Sequence, residues 1–187
     1  MTFEQDKEKQ LAKEDKSSIG GLDPKIKELC NKLNKSKDYY TTSSCAGRVI
    51  LIKNKIDKKP GLFIFRTHNK ITFQQLKKEL DKTVKNKEKE VGLKQEPCIL
   101  HVSCRTLEAS QKIVDNAKFC GWKRSGIMAT KKRFVCELMS TEHTELPIIS
   151  KGKILVSDEF LKILVKEMNE KLERTWNKIK KLEKLVK

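Results

Sequence analysis

The sequence predicts an α/β protein of the α+β type, with a mixed β-sheet, flanking helices and a long C-terminal helix. Short apolar runs of strand length alternate with amphipathic helical stripes over most of the chain. A strand, helix, strand succession from residue 97 predicts a crossover, and the strand after it predicts an antiparallel hairpin, so we expect the sheet to be mixed. From Ser157 onward, a heptad repeat of apolar residues predicts one helix of about 30 residues.

Residues 1–21 are polar and predict either a solvated helix or a frayed tail in front of a single domain over residues 22–187. The domain opens with Asp23-Pro24, an N-cap followed by proline at the first helical position. The apolar residues that follow at helical spacing are Ile26, Leu29, Cys30 and Leu33. This spacing predicts a short amphipathic helix.

Two apolar runs, Val49–Lys53 and Leu62–Arg66, lie on either side of a charged loop that contains Pro60-Gly61, and they predict a hairpin. Thr72 and Gln75 have the spacing of a capping box, which predicts the start of a helix. The apolar stripe of that helix is Phe73, Leu76, Leu80 and Val84.

The run Pro97–Arg105 is almost continuously apolar, which predicts a central strand covered on at least one face. Thr106 is expected to cap the next helix, and Gly121 is expected to close it. The residues of this helix expected to point inward are Leu107, Ile113, Val114 and Ala117. Two further strands, beginning at Trp122 and Arg133, are expected to form the arms of a hairpin.

The C-terminal helix carries residues in alternating steps of four and three, the spacing of a coiled-coil seam. The seam positions are Leu161, Val165, Met168, Leu172, Thr175, Ile179, Leu182 and Val186. The seam can pack along the domain, pair with the N-terminal helix, or dimerise, and packing within the chain is the alternative we favour. We therefore expect a monomer or a weak dimer.

The chain carries 42 Lys and Arg against 25 Asp and Glu, a formal net charge of +17. This excess favours a polyanionic partner, with nucleic acid ahead of an acidic membrane surface. No apolar run approaches the roughly 20 residues of a membrane span, and nothing at the N-terminus reads as a signal peptide, so we expect a cytoplasmic protein. The six cysteines form no C-x-x-C pair, so the sequence indicates no metal site.

The polar stretch Thr41–Arg48 runs directly into an apolar strand. The hydroxyls of Thr41–Ser44 would compete with a regular ladder by bonding the local backbone, and Gly47 permits a turn. Arg48 presents a fork of donors that suits phosphate or carboxylate. We expect a loop at the mouth of the strand, which is either a polar ligand site or an ordinary Ser/Thr-rich turn.

Polar residues also interrupt or end the other predicted strands. His101 lies inside an apolar strand, where it is either a core histidine with both ring nitrogens satisfied or a catalytic group. Arg105 ends that strand and either binds an anion or lies beside the helix start, while His68 is either functional or part of a surface loop. Ser125-Gly126 offers a close approach for a ligand or only a bulge. His143 is expected on the surface.

Taken together, these residues resemble the archaeal form of the tRNA wybutosine-synthesizing protein 3 family. The resemblance covers residues 22–187 in order, and only the N-terminal tail diverges. Thr41–Arg48 matches the family's signature, except that Ala46 stands where the archaeal proteins have serine. Where the family tends to have tryptophan before its histidine, this chain has Arg66-Thr67-His68. The other matching segments are Lys94–Pro97, Ile99–Arg105, Lys123–Ile127, Ser140-Thr141 with Pro147, and Val156–Glu159.

The resemblance implies an S-adenosylmethionine-dependent methyltransferase with a fold outside the Rossmann type. It would methylate N4 of a 7-aminocarboxypropyl-demethylwyosine base at position 37 of phenylalanine tRNA, in the single-stranded anticodon loop. The sequence has no glycine-rich cofactor loop, which agrees with such a fold. The alternative is a non-catalytic basic RNA-binding module that uses the Ser/Thr stretch as a phosphate nest.

For the implied reaction, His101 is our hypothesis for the base that accepts the proton of the ring nitrogen, with His68 second. The residues expected to bind the cofactor are Arg105, Cys104, Ser125 and Gly126. The residues expected to bind the substrate are Ser43, Ser44, Cys45, Arg48, Lys123, Arg124, Lys131 and Lys132. Whether Ser43, Ser44 and Arg48 hold the methyl donor or the RNA stays open, and we favour the RNA.

Overall fold

The structure, a computed structural model, describes residues 2–13, 23–54 and 61–186, in which five helices and nine strands occur. The helices are α1 Phe3–Leu11, α2 Pro24–Lys35, α3 Phe73–Lys85, α4 Leu107–Phe119 and α5 Asp158–Leu185. The strands are β1 Tyr39–Cys45, β2 Arg48–Lys53, β3 Phe63–Thr67, β4 Val91–Glu96, β5 Ile99–Cys104, β6 Gly126–Ala129, β7 Phe134–Met139, β8 Thr144–Ser150 and β9 Lys153–Ile154.

The strands form two sheets, with the orders β1-β5-β7-β6 and β3-β2-β4-β8-β9, and neighbouring strands run antiparallel in both. The α+β class is confirmed, and the described residues contain no doubly wound parallel sheet. The mixed pairing expected from the crossover is corrected. β5 and β6 do run in the same direction, as the crossover predicts, but β7 lies between them and is antiparallel to both.

The chain divides into two compact units, and each contains one of the two sheets. The first unit comprises Met1–Ala46, Cys98–Thr141 and Thr175–Lys187. The second unit comprises Gly47–Pro97 and Glu142–Arg174. That residues 22–187 act as a single domain stays a prediction.

One face of the first sheet is buried together with α2, α4 and the end of α5 in a shared apolar core. The side chain of Asp23 caps α2 by accepting a hydrogen bond from the Lys25 backbone at 3.0 Å. The four apolar residues predicted for α2 are all fully buried. Local sequence was therefore sufficient to predict both the start and the buried face of this helix.

α4 begins after its cap Thr106 and is closed by Gly121, whose φ of +92° is a conformation that glycine adopts without strain. Ile113, Val114 and Ala117 are buried as predicted. The inward orientation expected for Leu107 is wrong, because this residue is 45% exposed. Leu107 lies in the first turn of α4, where the helix extends past the edge of the core.

α1 packs on the opposite face of the first sheet from the core. The Phe3 ring lies 5.2 Å from the Tyr40 ring, while Tyr39, which points the other way along β1, borders the core. Asp6 is almost fully buried and pairs with the Arg133 guanidinium at 2.9 Å. Residues 3–11 therefore form a helix that is packed rather than solvated, and residues 14–21 lie outside the described part of the chain.

In the second unit, β2 and β3 form the predicted antiparallel hairpin, although Pro60 in its loop lies outside the described residues. The strands β4 and β8 were not predicted. β4 is short, contains Gly92, and ends in three polar residues, so its sequence has little strand character. It forms a strand because β2 and β8 pair with both of its edges.

The capping box of α3 is confirmed by reciprocal hydrogen bonds of 2.9 and 3.1 Å between Thr72 and Gln75. Leu76 and Leu80 are fully buried as predicted. In the last turn, Thr83 rather than Val84 takes the buried position, and its hydroxyl donates to the Glu79 backbone carbonyl at 2.6 Å.

Every seam residue of α5 is at most 7% exposed in the isolated chain. The seam therefore packs within the chain, as favoured from the sequence, and its burial does not require a second copy. Among the described helices, none combines the length and apolar character that crossing a membrane requires. No cluster of three or more metal-ligating side chains occurs in the described ranges.

Candidate active site

Three polar side chains form a row across the first sheet, on the face opposite the core. Strand register places Ser43 of β1 opposite His101 of β5, and His101 opposite Glu137 of β7. The neighbouring residues Leu100 and Val102 belong to the core, so the alternation of a strand directs His101 to the other face. His101 is therefore not a core histidine, and 28% of its side chain remains accessible.

The two ring nitrogens of His101 have different partners. Nδ1 lies 2.6 Å from the Ser43 hydroxyl oxygen, and Nε2 lies 3.0 Å from Glu137 Oε2. An ionised carboxylate can only accept hydrogen bonds, so in the neutral ring the proton resides on Nε2. Nδ1 then accepts the hydrogen bond of Ser43. Glu137 holds the ring in the form whose basic nitrogen faces the exposed hydroxyl.

Glu137 was missed in the sequence analysis, although a signal for it was present. It lies in the middle of the apolar run Phe134–Met139, where a carboxylate is as unexpected as a histidine is in β5. Cys136 and Leu138 on either side of it are fully buried, whereas 29% of the Glu137 side chain is exposed. The same criterion that selected His101 would have selected Glu137.

The stretch expected to be a loop, Thr41–Ser44, is part of the edge strand β1, and this corrects the prediction. Its ladder with β5 shifts register between Thr41 and Ser43, which is a β-bulge. Next to the bulge, the Asn34 side-chain oxygen accepts hydrogen bonds from the backbone N–H and the hydroxyl of Thr41, at 2.7 and 3.2 Å. Thr41 thus bonds locally, as the sequence predicts for these hydroxyl residues, while remaining in the strand. It also brings Ser43 opposite His101.

The other predicted substrate residues of this stretch have different environments. Ser44 and Cys45 are half-buried in β1 and lie opposite Leu100 and Ile99. Arg48 belongs to the second unit, where its Nε lies 2.5 Å from Glu96 Oε2. The carboxylate partner that the sequence suggested for Arg48 is thus supplied by its own chain.

Arg105 holds α1 in place. Its guanidinium donates to the Lys37 backbone carbonyl at 2.7 and 3.0 Å, pairs with Glu4, and lies 4.6 Å from the centre of the Phe3 ring. The hydrogen bond from Arg105 lowers the pKa of Glu4. These contacts use at least one N–H donor on each of the three guanidinium nitrogens, out of the five donors of the group.

Two further residues predicted to bind the cofactor, Cys104 and Ser125, are buried and make their contacts within the protein. Cys104 is 3% exposed, and its contact with the Cys136 sulfur, followed by burial, raises the pKa of its thiol, which keeps it protonated. The Ser125 hydroxyl is buried, donates to the Trp122 carbonyl at 2.5 Å and accepts from the Met139 backbone at 3.2 Å.

Gly126, the fourth predicted cofactor residue, continues the polar row. It lies opposite Glu137 in the β6–β7 ladder, and a Cβ placed on it would meet no atom within 4 Å. The space over Gly126, opposite Glu137 in the ladder, is therefore open, and a ligand can approach the backbone of β6 there.

The four predicted basic residues are exposed and lie at the two ends of the edge strand β6. Lys123 and Arg124 precede the strand, and Lys131 and Lys132 follow it in the turn to β7. His68 is half-buried, follows β3 and belongs to the second unit. His143 is in the second unit too, is 36% exposed, and lies 3.4 Å from Glu145.

The fold agrees with a class of solved archaeal proteins. A structure from Pyrococcus horikoshii matches with a TM-score of 0.85 at 27% identity, covering 100% of this chain and 96% of that one. A structure from Aeropyrum pernix shares the fold with a TM-score of 0.75 at 24% identity, covering 88% of this chain and 96% of its own. These matches define an α+β fold outside the Rossmann type, and in this chain one sheet face of that fold holds a histidine between a serine and a glutamate.

The sequence comparison then identifies the family. The model of the family described as Methyltransferase TYW3 matches residues 5–187. A relative from Xenopus laevis, named tRNA wybutosine-synthesizing protein 3 homolog, is 36% identical over 92% of this chain and 70% of its own length. A relative from Thermococcus sibiricus is 34% identical over 88% of this chain and 83% of its own length. The chain belongs to the TYW3 methyltransferase family and is an enzyme.

Proposed function

We propose that this protein transfers a methyl group from S-adenosyl-L-methionine to a modified guanosine of phenylalanine tRNA. The Thermococcus relative is named tRNA(Phe) 7-((3-amino-3-carboxypropyl)-4-demethylwyosine(37)-N(4))-methyltransferase, and the proposed acceptor is the same N4 nitrogen. The proposal includes the anticodon loop as the site of contact, a monomeric protein and a cytoplasmic reaction. The observation that carries it is the Ser43–His101–Glu137 row in a chain of this family.

The open space over Gly126, opposite Glu137, fits a methyl donor that carries positive charge. S-adenosylmethionine supplies an activated methyl group on a sulfonium, so the protein's main task is to place the acceptor nitrogen in line with it. A carboxylate next to backbone without side-chain cover suits the ammonium and sulfonium of such a ligand. We retain Gly126 as a cofactor-binding residue and add Glu137. Arg105 is instead a residue that anchors α1.

The row provides a route for the proton that the acceptor nitrogen loses. Transfer would break the bond between the methyl carbon and the donor's sulfur, leaving a neutral thioether, and would form the bond from the acceptor nitrogen to that carbon. The proton of the acceptor N–H would pass to the exposed Ser43 hydroxyl, which would give its own proton to Nδ1 of His101. Glu137 accepts the hydrogen bond of Nε2 and stabilises the imidazolium that results.

The RNA backbone would meet the basic residues that lie at both ends of β6. Lys123, Arg124, Lys131 and Lys132 are exposed, so each can contact a phosphate without first losing a partner in the core. Ser43 and its exposed neighbour Thr42 present hydroxyls to the base.

The test is methyl transfer to phenylalanine tRNA that lacks only this methyl group. The full chain, incubated with S-adenosylmethionine and this tRNA, is expected to add one methyl group, measured by mass spectrometry of the digested nucleosides. His101→Ala should abolish transfer while leaving the unfolding temperature and the tRNA affinity near wild type. His143→Ala, which changes a surface histidine of the second unit, is the matched control and should retain activity.

A non-catalytic RNA-binding module would bind the same tRNA without any methyl transfer. Calorimetry separates the two functions, because only the enzyme is expected to bind S-adenosylmethionine, alone or with tRNA. An absence of donor binding under both conditions would contradict the proposal.

A further inference from the structure

A second feature of the chain, distinct from the histidine row, lies on the hairpin of the second unit. Phe63 of β3 is 44% exposed. The guanidinium carbons of Arg48 and Arg66 both lie 5.3 Å from the centre of its ring. The pairing strands therefore present one aromatic ring with two planar cations beside it.

A β-bulge is the reason that Phe63 faces the arginines. Arg66 lies opposite Ile50 in β2, and Phe65 lies opposite Leu51, as in a regular ladder. The register then shifts, so that Phe63 lies opposite Ile52, whereas a regular ladder would place it opposite Lys53. Side chains alternate along a strand, and this single shift moves Phe63 from the face of Phe65 to the face of Arg48 and Arg66.

The chemistry of this surface suits an unpaired nucleobase. Bases that are not paired stack on aromatic rings and on guanidinium planes, and arginines next to such a ring also bind the adjoining phosphates. The net charge of +17 favours a polyanion over an uncharged or cationic partner. Arg48 is held by its contact with Glu96 while its guanidinium carbon lies 5.3 Å from the centre of the Phe63 ring.

We propose that Phe63, with Arg48 and Arg66, is a stacking platform for an unpaired base of an RNA ligand. The proposal rests on the proposed function, since it takes the tRNA substrate as the source of that base. It adds a binding site in the second unit and an aromatic residue that contacts RNA. Binding at this platform depends on the ring, whereas binding at the basic residues near β6 depends on charge.

The experiment compares the binding of three RNAs to the full chain by fluorescence anisotropy: the tRNA, a single-stranded oligonucleotide and a duplex. Phe63→Leu removes the ring but keeps an apolar side chain, and we expect at least about fivefold weaker binding of the tRNA and the single strand. Duplex binding should not change, because paired bases cannot stack on the platform. Phe119→Leu, which alters an 85% exposed phenylalanine of the first unit, is the matched control.

Phe63→Trp places a fluorescent ring at the platform, so that stacking of a base can be measured directly. We expect it to retain wild-type affinity, because tryptophan stacks as well as phenylalanine, and we expect its fluorescence to be quenched on binding single-stranded RNA. Wild-type protein, titrated in parallel, corrects for Trp122 and Trp176. Arg66→Lys keeps the charge but loses the plane, and it should weaken single-strand binding more than duplex binding.

Unfolding temperatures of all variants show whether a loss of binding follows from a loss of structure. Wild-type affinity for single-stranded RNA in Phe63→Leu, or an equal loss for duplex and single strand, would overturn the platform. If wild type methylates the tRNA and Phe63→Leu binds it unchanged, the platform fails and the proposed function stands. If single-strand binding depends on Phe63 but wild type transfers no methyl group, the platform stands and the proposed function fails.

Discussion

Glu137→Gln tests the central feature of the proposed mechanism with a change of one functional group. The amide has nearly the same shape as the carboxylate and can still accept a hydrogen bond from His101 Nε2 at 3.0 Å. It carries no negative charge, and it can also present its NH2 group as a donor. The variant therefore loses both the stabilisation of the imidazolium and the control over which ring nitrogen bears the proton.

The expected loss is about 100-fold in kcat, at the lower end of what acid–base catalysis contributes, because the acceptor oxygen is retained. This corresponds to about 2.7 kcal/mol of transition-state stabilisation. The free energy of unfolding should change by less than about 1 kcal/mol, because 29% of the Glu137 side chain is exposed and the core on the other face is untouched. The KM for tRNA should stay near wild type.

The assay is single-turnover methyl transfer, in which enzyme exceeds tRNA, so that product release does not limit the rate. Glu145→Gln, which changes a glutamate that lies near His143 in the second unit, is the control and should be as active as wild type. At saturating S-adenosylmethionine, where a weaker donor site no longer limits the rate, any residual rate of the double variant His101→Ala with Glu137→Gln should equal that of His101→Ala alone, because the effect of Glu137 on the proton transfer acts through the histidine. Wild-type activity in Glu137→Gln, or fully additive losses, would refute the reasoning.

Three more predictions follow from other parts of the chain. Gly126→Ala should fold at least as stably as wild type, since the backbone there is ordinary and the Cβ meets nothing, but it should raise the KM for the methyl donor in steady-state assays. Changing both Lys131 and Lys132 to alanine should weaken tRNA binding. The slope of the logarithm of the binding constant against the logarithm of the salt concentration should fall in magnitude by up to about two, and an unchanged slope would contradict the role of these lysines. Burial raises the pKa of Tyr39 to about 12 from its usual 10.0, so its neutral form stabilises the fold. That stability is complete below pH 10 and is lost as the pH rises towards 12, so alkaline unfolding measured by circular dichroism should be less steep for Tyr39→Phe.

The helices show how far local signals reach. The caps Asp23, Thr72 and Thr106 and the buried stripe of α5 all lie where the sequence predicts them, because caps and helical stripes depend on residues only a few positions apart. β4 was missed because its residues form a strand only through pairing with β2 and β8. Its own sequence contains a glycine and three polar residues at the end, which do not predict a strand.

Several residues of the candidate site were predicted individually, but the sequence did not predict that they lie next to one another on one face of the sheet. His101, Ser43 and Gly126 were selected because polar or small residues interrupt or end apolar strands, and the structure places them in one row. Glu137 completes the row and was missed. Arg105 was selected by the same criterion, yet its contacts with Glu4 and with the backbone of Lys37 depend on where α1 packs.

The amino-acid sequence was enough to predict helices α2–α5, the α+β class, the basic charge and the motifs of the family, since all of these are read from neighbouring residues or from composition. Apart from the two predicted hairpins, the pairing of the strands and their register became apparent only in the three-dimensional structure. The bulges before Ser43 and Phe63 illustrate the physical reason. Side chains alternate along a strand, so a shift of one residue moves a side chain to the other face of the sheet. Such a shift is a property of the paired strands, so it cannot be read from the residues of one strand alone.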